Sequence, residues 1–182
     1  MALRSVVYKA VLQVANMDSH YYAEHALVLA LHPSETQERM MVRLLAFALH
    51  AHESLTFGQG MSTADEPDLW IRDLTGAISL WIEVGLPEEK WLRKACARSD
   101  TVVLYAYGRT ADAWWAQNRS KLERLENLTV YRLPVEESRA IGALAQRSMQ
   151  LQCNIQDQEA WLSNGDEAVR IVRETLTPQR NA

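Results

Sequence analysis

The chain is poor in the residues that would place it quickly. Among 182 residues it has only two cysteines, Cys96 and Cys153, and they form no CxxC pair. That spacing argues against a zinc site and against a disulfide-rich secreted fold, and free thiols are expected. The five histidines include no HExxH pair, so a zincin-type metal helix is excluded. No glycine-rich phosphate loop and no GxSxG elbow occur, which leaves P-loop and α/β-hydrolase chemistry unsupported. No apolar run approaches 18 residues, so no membrane-spanning helix is expected. The opening MALRSVVYKAVLQV has neither the apolar block nor the small-residue cleavage site of a secretory signal, and the reading is a cytoplasmic protein. There is no basic excess either. The net charge is −4 and the pI about 5.7, which counts against tight non-specific nucleic-acid binding but allows a local basic patch.

What remains is an ordinary globular composition, 48% hydrophobic and 23% charged. It suits one domain over 1–182 with a sizeable core. Residues 4–16 alternate in hydrophobicity, with Val6, Tyr8 and Ala10 on one face. After the polar break 16–19, residues 21–32 read as a hairpin partner, with helix as the competing assignment because Ala and Leu abound. Residues 32–54 are the clearest helix, with Ser34 and Gln37 spaced as a capping box. Glu38 lies three, four and seven residues before Met41, Val42 and Leu45, so it heads the apolar face. A loop is predicted over 58–67, followed by strands at 68–73 and 77–85 joined through Thr75-Gly76. Helices after Leu86, around Ala111 and after Leu133 alternate with strands near 101–108 and 128–133. This alternation requires a partly parallel sheet. The tail reads as strands again, with turns at 156–159 and 164–165. The fold class expected is α/β: a mixed central sheet flanked by helices, extended by terminal β-hairpins.

The stretch ISLWIEVG (78–85) raises a chemical question. Its even positions, Ile78, Leu80, Ile82 and Val84, form one apolar face, and Glu83 belongs to the other. An ionised carboxylate is costly to bury unless paired or bound to a cation. Counting outward from Thr75-Gly76 puts Asp68 about as far from the turn as Glu83, so the two carboxylates can meet at one end of the sheet, with Glu38 joining them. Such a set suits Mg²⁺, or Mn²⁺ as a substitute, which takes hard oxygen ligands and keeps several waters. Lys90 and Lys94, four apart on the following helix, share a face. Lys94 is favoured because Trp91 and Ala95 mark the expected buried side. The bland alternative is that Glu83 pairs with an arginine or caps the next helix. The six tryptophans are read as core, with Trp115 the exception because it adjoins Trp114. Arg39, Arg43, Arg93, Arg98 and Arg109 are candidates for phosphate contacts, with a solvated surface as the default.

The order of these elements resembles the restriction-endonuclease-like core of the PD-(D/E)XK nucleases. Pro67-Asp68 matches the first half of that motif and Glu83 the acid of the second half, whereas the lysine position holds Gly85. Some members place that lysine on the next helix, here Lys94 or Lys90. The whole chain also resembles the YaeQ family of bacterial proteins, through HPSETQERMM, DEPDLWIRD, LWIEVGLPEE, KACARS and IQDQEAWLS. The resemblance implies a compact endonuclease-like domain with no established activity. It implies Asp68, Glu83 and Glu38 as metal ligands, and Lys94, Lys90 and Glu38 as catalytic residues. Two functions stay open: a Mg²⁺-dependent nuclease or phosphodiesterase acting on nucleic acid, and a non-catalytic protein that keeps the fold and binds nucleic acid or another protein. A monomer or weak oligomer with no membrane partner is expected.

Overall fold

The computed structural model describes residues 4–59 and 65–180. Positions 60–64 of the expected loop lie outside the described residues. The chain divides into two compact units, Met1–Ala51 with Glu136–Val172 and His52–Val135 with Arg173–Ala182.

In the first unit, β1 (Val6–Asn16) and β2 (Tyr21–Leu31) form the expected hairpin, antiparallel with Leu12 opposite His25. Hairpin geometry therefore prevails over the helical propensity of the Ala- and Leu-rich second segment. Strand β8 (Ser148–Gln156) runs parallel to β1, and β9 (Glu159–Ser163) and β10 (Ala168–Ile171) fold back from it. The sheet order is β10-β9-β8-β1-β2. The terminal hairpins are thus not extensions of a central sheet; they pair with each other to build a second one. Tyr8, Ala10, Leu12 and Val14 from β1 and Met149, Leu151, Cys153 and Ile155 from β8 are buried by their alternation.

Helix α1 (Gln37–Leu49) belongs to this unit, and every residue from Met40 to Ala48 is buried. Its cap is Thr36, not Ser34: the Thr36 hydroxyl accepts the Arg39 N–H at 3.1 Å. Ser34 instead bonds His32 Nδ1 through its own hydroxyl. Two residues separate the expected and observed caps because Glu35 is committed elsewhere. Its carboxylate takes Arg43 Nε at 2.7 Å, Arg43 Nη2 at 2.9 Å and Arg39 Nη1 at 3.0 Å. Arg39 and Arg43 therefore clamp a buried glutamate. Helix α4 (Val135–Ala143) meets α1 through Gly142, where an added Cβ would lie 2.9 Å from Glu38 Cα.

In the second unit the sheet order is β11-β7-β6-β5-β4-β3, with β3 at Leu55–Phe57, β4 at Leu69–Arg72, β5 at Ile78–Val84, β6 at Ser99–Ala106, β7 at Leu128–Arg132 and β11 at Glu174–Thr175. Strands β5, β6 and β7 are parallel, as the alternating pattern requires, with α2 (Glu89–Arg98) and α3 (Ala111–Leu122) in the crossovers. Val102, Leu104, Ala106 and Val130 pack with Leu92, Ala95 and Leu122 from the helices. Trp114 and Trp115 both pack on this cluster, and the Trp114 indole N–H donates to Pro87 O. The short strands β3 and β11 were not foreseen, since three and two residues carry no readable period.

One sequence reading of β5 needs correction. Ile71 pairs with Leu80, but Arg72 pairs with Ile78, leaving an extra residue at Ser79. This bulge switches the alternation, so Ile78 joins Trp81 in the core cluster instead of lying with Leu80 and Ile82. Among the described residues no helix is long and apolar enough to cross a membrane.

Candidate functional site

Beyond the bulge the β4–β5 register runs regularly: Ile71 faces Leu80, Trp70 faces Trp81 and Leu69 faces Ile82. One step further, Asp68 and Glu83 are the next residues on the two strands. Both residues therefore lie at the open end of this hairpin, one step beyond its last paired residues.

Each carboxylate is held. Asp68 is 1% exposed, and its Oδ2 accepts the Val84 main-chain N–H at 2.8 Å. Its own N–H donates to Ile82 O and its carbonyl accepts the Gly58 N–H. The side chain thus extends the hydrogen-bond ladder past the last paired residues. Glu83 is half-buried and its Oε1 accepts the Trp81 indole N–H at 2.8 Å. Residues two apart on a strand share a face, so this bond was foreshadowed by the sequence. Trp81 in turn packs edge-on against Trp70, with ring centroids 6.2 Å apart, and the Arg98 guanidinium lies 5.3 Å from its ring. Indole packing and an arginine over the ring fix the donor that fixes Glu83.

The lysines lie on α2 and are engaged. Lys94 Nζ is 2.6 Å from Asp65 Oδ1, and Lys90 Nζ is 3.0 Å from Glu88 Oε2. Both ammonium groups also flank the Trp91 ring, at 5.4 and 5.6 Å. Trp91 is 37% exposed; the buried side of α2 is Leu92 and Ala95. The expectation that Trp91 marks the buried side fails, since the helix turns Leu92 and Ala95 inward and leaves the indole exposed between the two lysines. Asp65 was overlooked as a candidate. It binds Lys94 and, through its carbonyl, Arg98 Nη1 at 3.1 Å. The Lys94 ammonium holds the Asp65 carboxyl below its ordinary range. The available signal was an acid three residues before Asp68 in DEPD. Arg93 pairs with Glu89 at 3.6 Å.

Gly85 sits at φ +110° and its N–H donates to Tyr105 O. A side chain rarely adopts this conformation. The glycine at the motif's lysine position thus has a backbone cause: the chain turns out of β5 toward α2.

Glu38 belongs to the first unit, at the start of α1, where its Oε1 accepts the Ser138 hydroxyl at 2.8 Å. Among the described residues no group of three or more His, Cys, Asp or Glu side chains is placed to hold a metal ion.

The model of the family described as "YaeQ protein" matches residues 1–173. The chain belongs to the YaeQ family. It is 45% identical to "Uncharacterized protein YaeQ" of Salmonella typhi over 172 residues, 94% of this chain and 95% of that one. It is 46% identical to the Escherichia coli K12 protein of the same description, over 90% of this chain and 91% of that one. The crystal structure of YaeQ protein from Xanthomonas axonopodis pv. citri superposes with a TM-score of 0.92 at 45% identity, covering 96% of this chain and 99% of that one. The structure of YaeQ protein from Pseudomonas syringae gives 0.92 at 30% identity, covering 97% and 98%. The two mixed sheets and four helices among the described residues are therefore shared with these two YaeQ structures.

Proposed function

We propose that this YaeQ-family chain is a Mg²⁺-dependent phosphodiesterase acting on nucleic acid, with the arrangement of a PD-(D/E)XK nuclease. The observation that supports this reading is the β4–β5 register, whose last pair, Leu69 with Ile82, leaves Asp68 and Glu83 at the same end of the hairpin. Mg²⁺ is usually held by one or two carboxylates, with waters and substrate phosphate completing the shell. Two hard-oxygen donors fit that demand. A carboxylate carries about four acceptor positions, so holding a main-chain N–H and binding a cation are compatible roles for Asp68. When bound, the cation would supply charge neutralisation at the phosphate and an acidified water. The chain's own part is positioning. The Val84 N–H orients Asp68 and the Trp81 indole orients Glu83. Lys94, drawn from Asp65 to a phosphate, would stabilise developing negative charge, with Lys90 one turn away on the same helix. Glu38 stands in the first unit, where it accepts the Ser138 hydroxyl, and takes no step in this chemistry.

Calorimetric titration of Mg²⁺ and Mn²⁺ into the native protein, Asp68→Asn and Glu83→Gln tests this, beside cleavage assays on single- and double-stranded DNA and RNA. Metal binding and metal-dependent cleavage in the native protein, lost in both variants, are the expected results. Cleavage that persists equally in both variants, or its absence from the native protein on every substrate, defeats the reading.

A second reading is a non-catalytic interaction protein that keeps the fold. The observation favouring it is Gly85, whose positive φ disfavours the lysine that the motif carries there. Nucleic-acid or protein binding with no metal-dependent turnover would be its signature.

A further inference from the structure

Strand β2 ends the five-stranded sheet, and its outer edge is long. The direction of its main-chain groups can be read from its neighbour. Lys9 N donates to Arg147 O and Met17 N to Ile155 O, so the odd residues of β1 face β8. The even residues of β1 therefore face β2 and pair with its odd residues, from Tyr21 to Leu31. That leaves the N–H and C=O groups of Tyr22, Glu24, Ala26, Val28 and Ala30 pointing outward. Arg43 provides an independent check: its Nη2 donates to Ala30 O at 3.0 Å. Among the described residues no hydrogen bond reaches the outward main-chain groups of Tyr22, Glu24, Ala26 or Val28.

Edges of this kind are normally blunted by lysine, proline, a bulge or a covering element. Residues 22–28 read YAEHALV, with no lysine and no proline. The β1–β2 register is continuous, with no bulge. Apolar side chains are exposed on the same strand instead: Tyr22 is 61% exposed and Val28 63%. They are symmetric about His25, three residues away on either side.

We infer that β2 is a self-pairing edge, and that two copies of this chain join antiparallel across a two-fold axis at His25 into one continuous ten-stranded sheet. A two-fold interface must be self-complementary, and this segment is. Pairing about His25 sets Tyr22 opposite Val28 of the second copy, and Val28 opposite its Tyr22. Aromatic and β-branched side chains directly opposite each other are a favourable cross-strand pair. Glu24 falls opposite Ala26 of the second copy, so no carboxylate faces a carboxylate. The outward groups of Tyr22, Glu24, Ala26 and Val28 then exchange about eight main-chain hydrogen bonds. Arg43 on Ala30 O closes the seam at both ends, one from each copy. A seam of one strand is smaller than a standard interface, so the dimer is a weak, concentration-dependent one.

This inference is independent of the proposed activity, since it uses only the first unit. The test is sedimentation velocity of the full chain over a hundredfold concentration range, with Ala26→Pro and Val28→Lys beside it. Both positions point away from β1, so neither change removes a β1–β2 hydrogen bond, and circular dichroism checks that both fold. The expected result is a native monomer–dimer equilibrium and two monomeric variants with native spectra. Register is tested by mixing Tyr22→Cys with Val28→Cys under mild oxidation. A cross-linked dimer should form in the mixture and not from either variant alone. Burial raises the Cys96 thiol to about 11 and the Cys153 thiol to about 12, which keeps both native cysteines out of the exchange. A native protein that is monomeric throughout, a folded Ala26→Pro that still dimerises, or failure of the mixed cross-link overturns the inference.

Discussion

The Asp68 carboxylate accepts the Val84 main-chain N–H at 2.8 Å, so a side chain stands where a strand carbonyl would otherwise continue the β-ladder. Asp68 therefore has a structural task at the same atom group that the proposed chemistry would use. The two tasks separate by substitution. Asn keeps a carbonyl oxygen for the Val84 N–H and removes the charge. Ala removes both. Asp68→Ala should lose about 1–3 kcal/mol in urea unfolding, the cost of deleting a buried hydrogen bond to a charged acceptor. Asp68→Asn should lose clearly less while losing metal binding. Equal destabilisation would mean that the charge, not the hydrogen bond, carries the stability.

Gly85 is the position where the nuclease motif would have lysine. Nothing lies within 4 Å of an added Cβ there, so the obstacle is φ +110° and not a clash. Gly85→Lys should cost about 1–3 kcal/mol of stability through backbone strain. Gly85→Ala should cost about the same, because the strain arises at Cβ. A lysine variant markedly worse than the alanine variant would point to a steric or charge conflict rather than to strain.

Glu35 is the anchor of the first unit's polar core. Its side chain is 2% exposed and that of Arg43 is 8% exposed, joined by two hydrogen bonds of 2.7 and 2.9 Å. Removing one partner of a buried ion pair leaves the other uncompensated, at about 3–5 kcal/mol. Glu35→Ala should lose that much by chemical denaturation. Glu35→Gln keeps acceptor geometry and should recover part of it. A loss below about 1 kcal/mol for the alanine variant would show that water replaces the carboxylate at no great cost.

Gly142 allows α4 to approach the backbone of α1. A Cβ would lie 2.9 Å from Glu38 Cα and 3.1 Å from Glu38 Cβ, and the nearer of these two atoms belongs to the main chain, which cannot swing away. In an open helix, Gly→Ala usually stabilises by a few tenths to about 1 kcal/mol. Here the sign should reverse, with Gly142→Ala destabilising by about 1–3 kcal/mol from overpacking. It should also disturb the Ser138–Glu38 hydrogen bond one helical turn earlier, visible as altered amide-exchange protection at the start of α1.

The elements with a strong period were legible in the sequence: the β1–β2 hairpin, α1, and the β–α alternation from residue 78 onward. So was the placement of Asp68 and Glu83 toward one end of the β4–β5 hairpin. Pairings between segments far apart in the chain were not. Nothing in residues 6–16 says that β8, some 140 positions later, will lie parallel beside it, and this pairing is what makes two sheets out of one expected sheet. The bulge at Ser79 was also hidden, since a single unpaired residue leaves no compositional mark. Ion-pair choice was the third gap. Arg39 and Arg43 follow Glu35 at spacings of four and eight, compatible with one helix face, yet Glu35 lies before the helix begins. Only the bend of the chain at Thr36 brings it back onto them.

His25 provides a pH test that bears on the β2 strand. Its ring lies edge-on to Phe47 at 5.0 Å, and its Nε2 is 2.8 Å from the Tyr21 hydroxyl. Partial burial lowers its pKa from the ordinary 6.5. A base whose folded pKa is lowered binds protons more readily when unfolded. Stability from this group is therefore fully present above pH 6.5 and is lost as the pH falls from there through the lowered folded value. The carboxyls of Asp65, Asp73 and Glu159 are also lowered, by Lys94, Thr75 and Arg170 respectively, but from ordinary values of 3.8, 3.8 and 4.5. Their contributions are lost only at more acid pH, so from about pH 7.5 to 5.5 the carboxyls drop out, and His25→Gln separates this imidazole from the other four histidines. The urea midpoint of the native protein should fall across that interval. His25→Gln, which keeps a partner for the Tyr21 hydroxyl and cannot titrate, should show a flatter profile. If both proteins lose stability with the same slope, another group governs the dependence and His25 is not desolvated enough to matter.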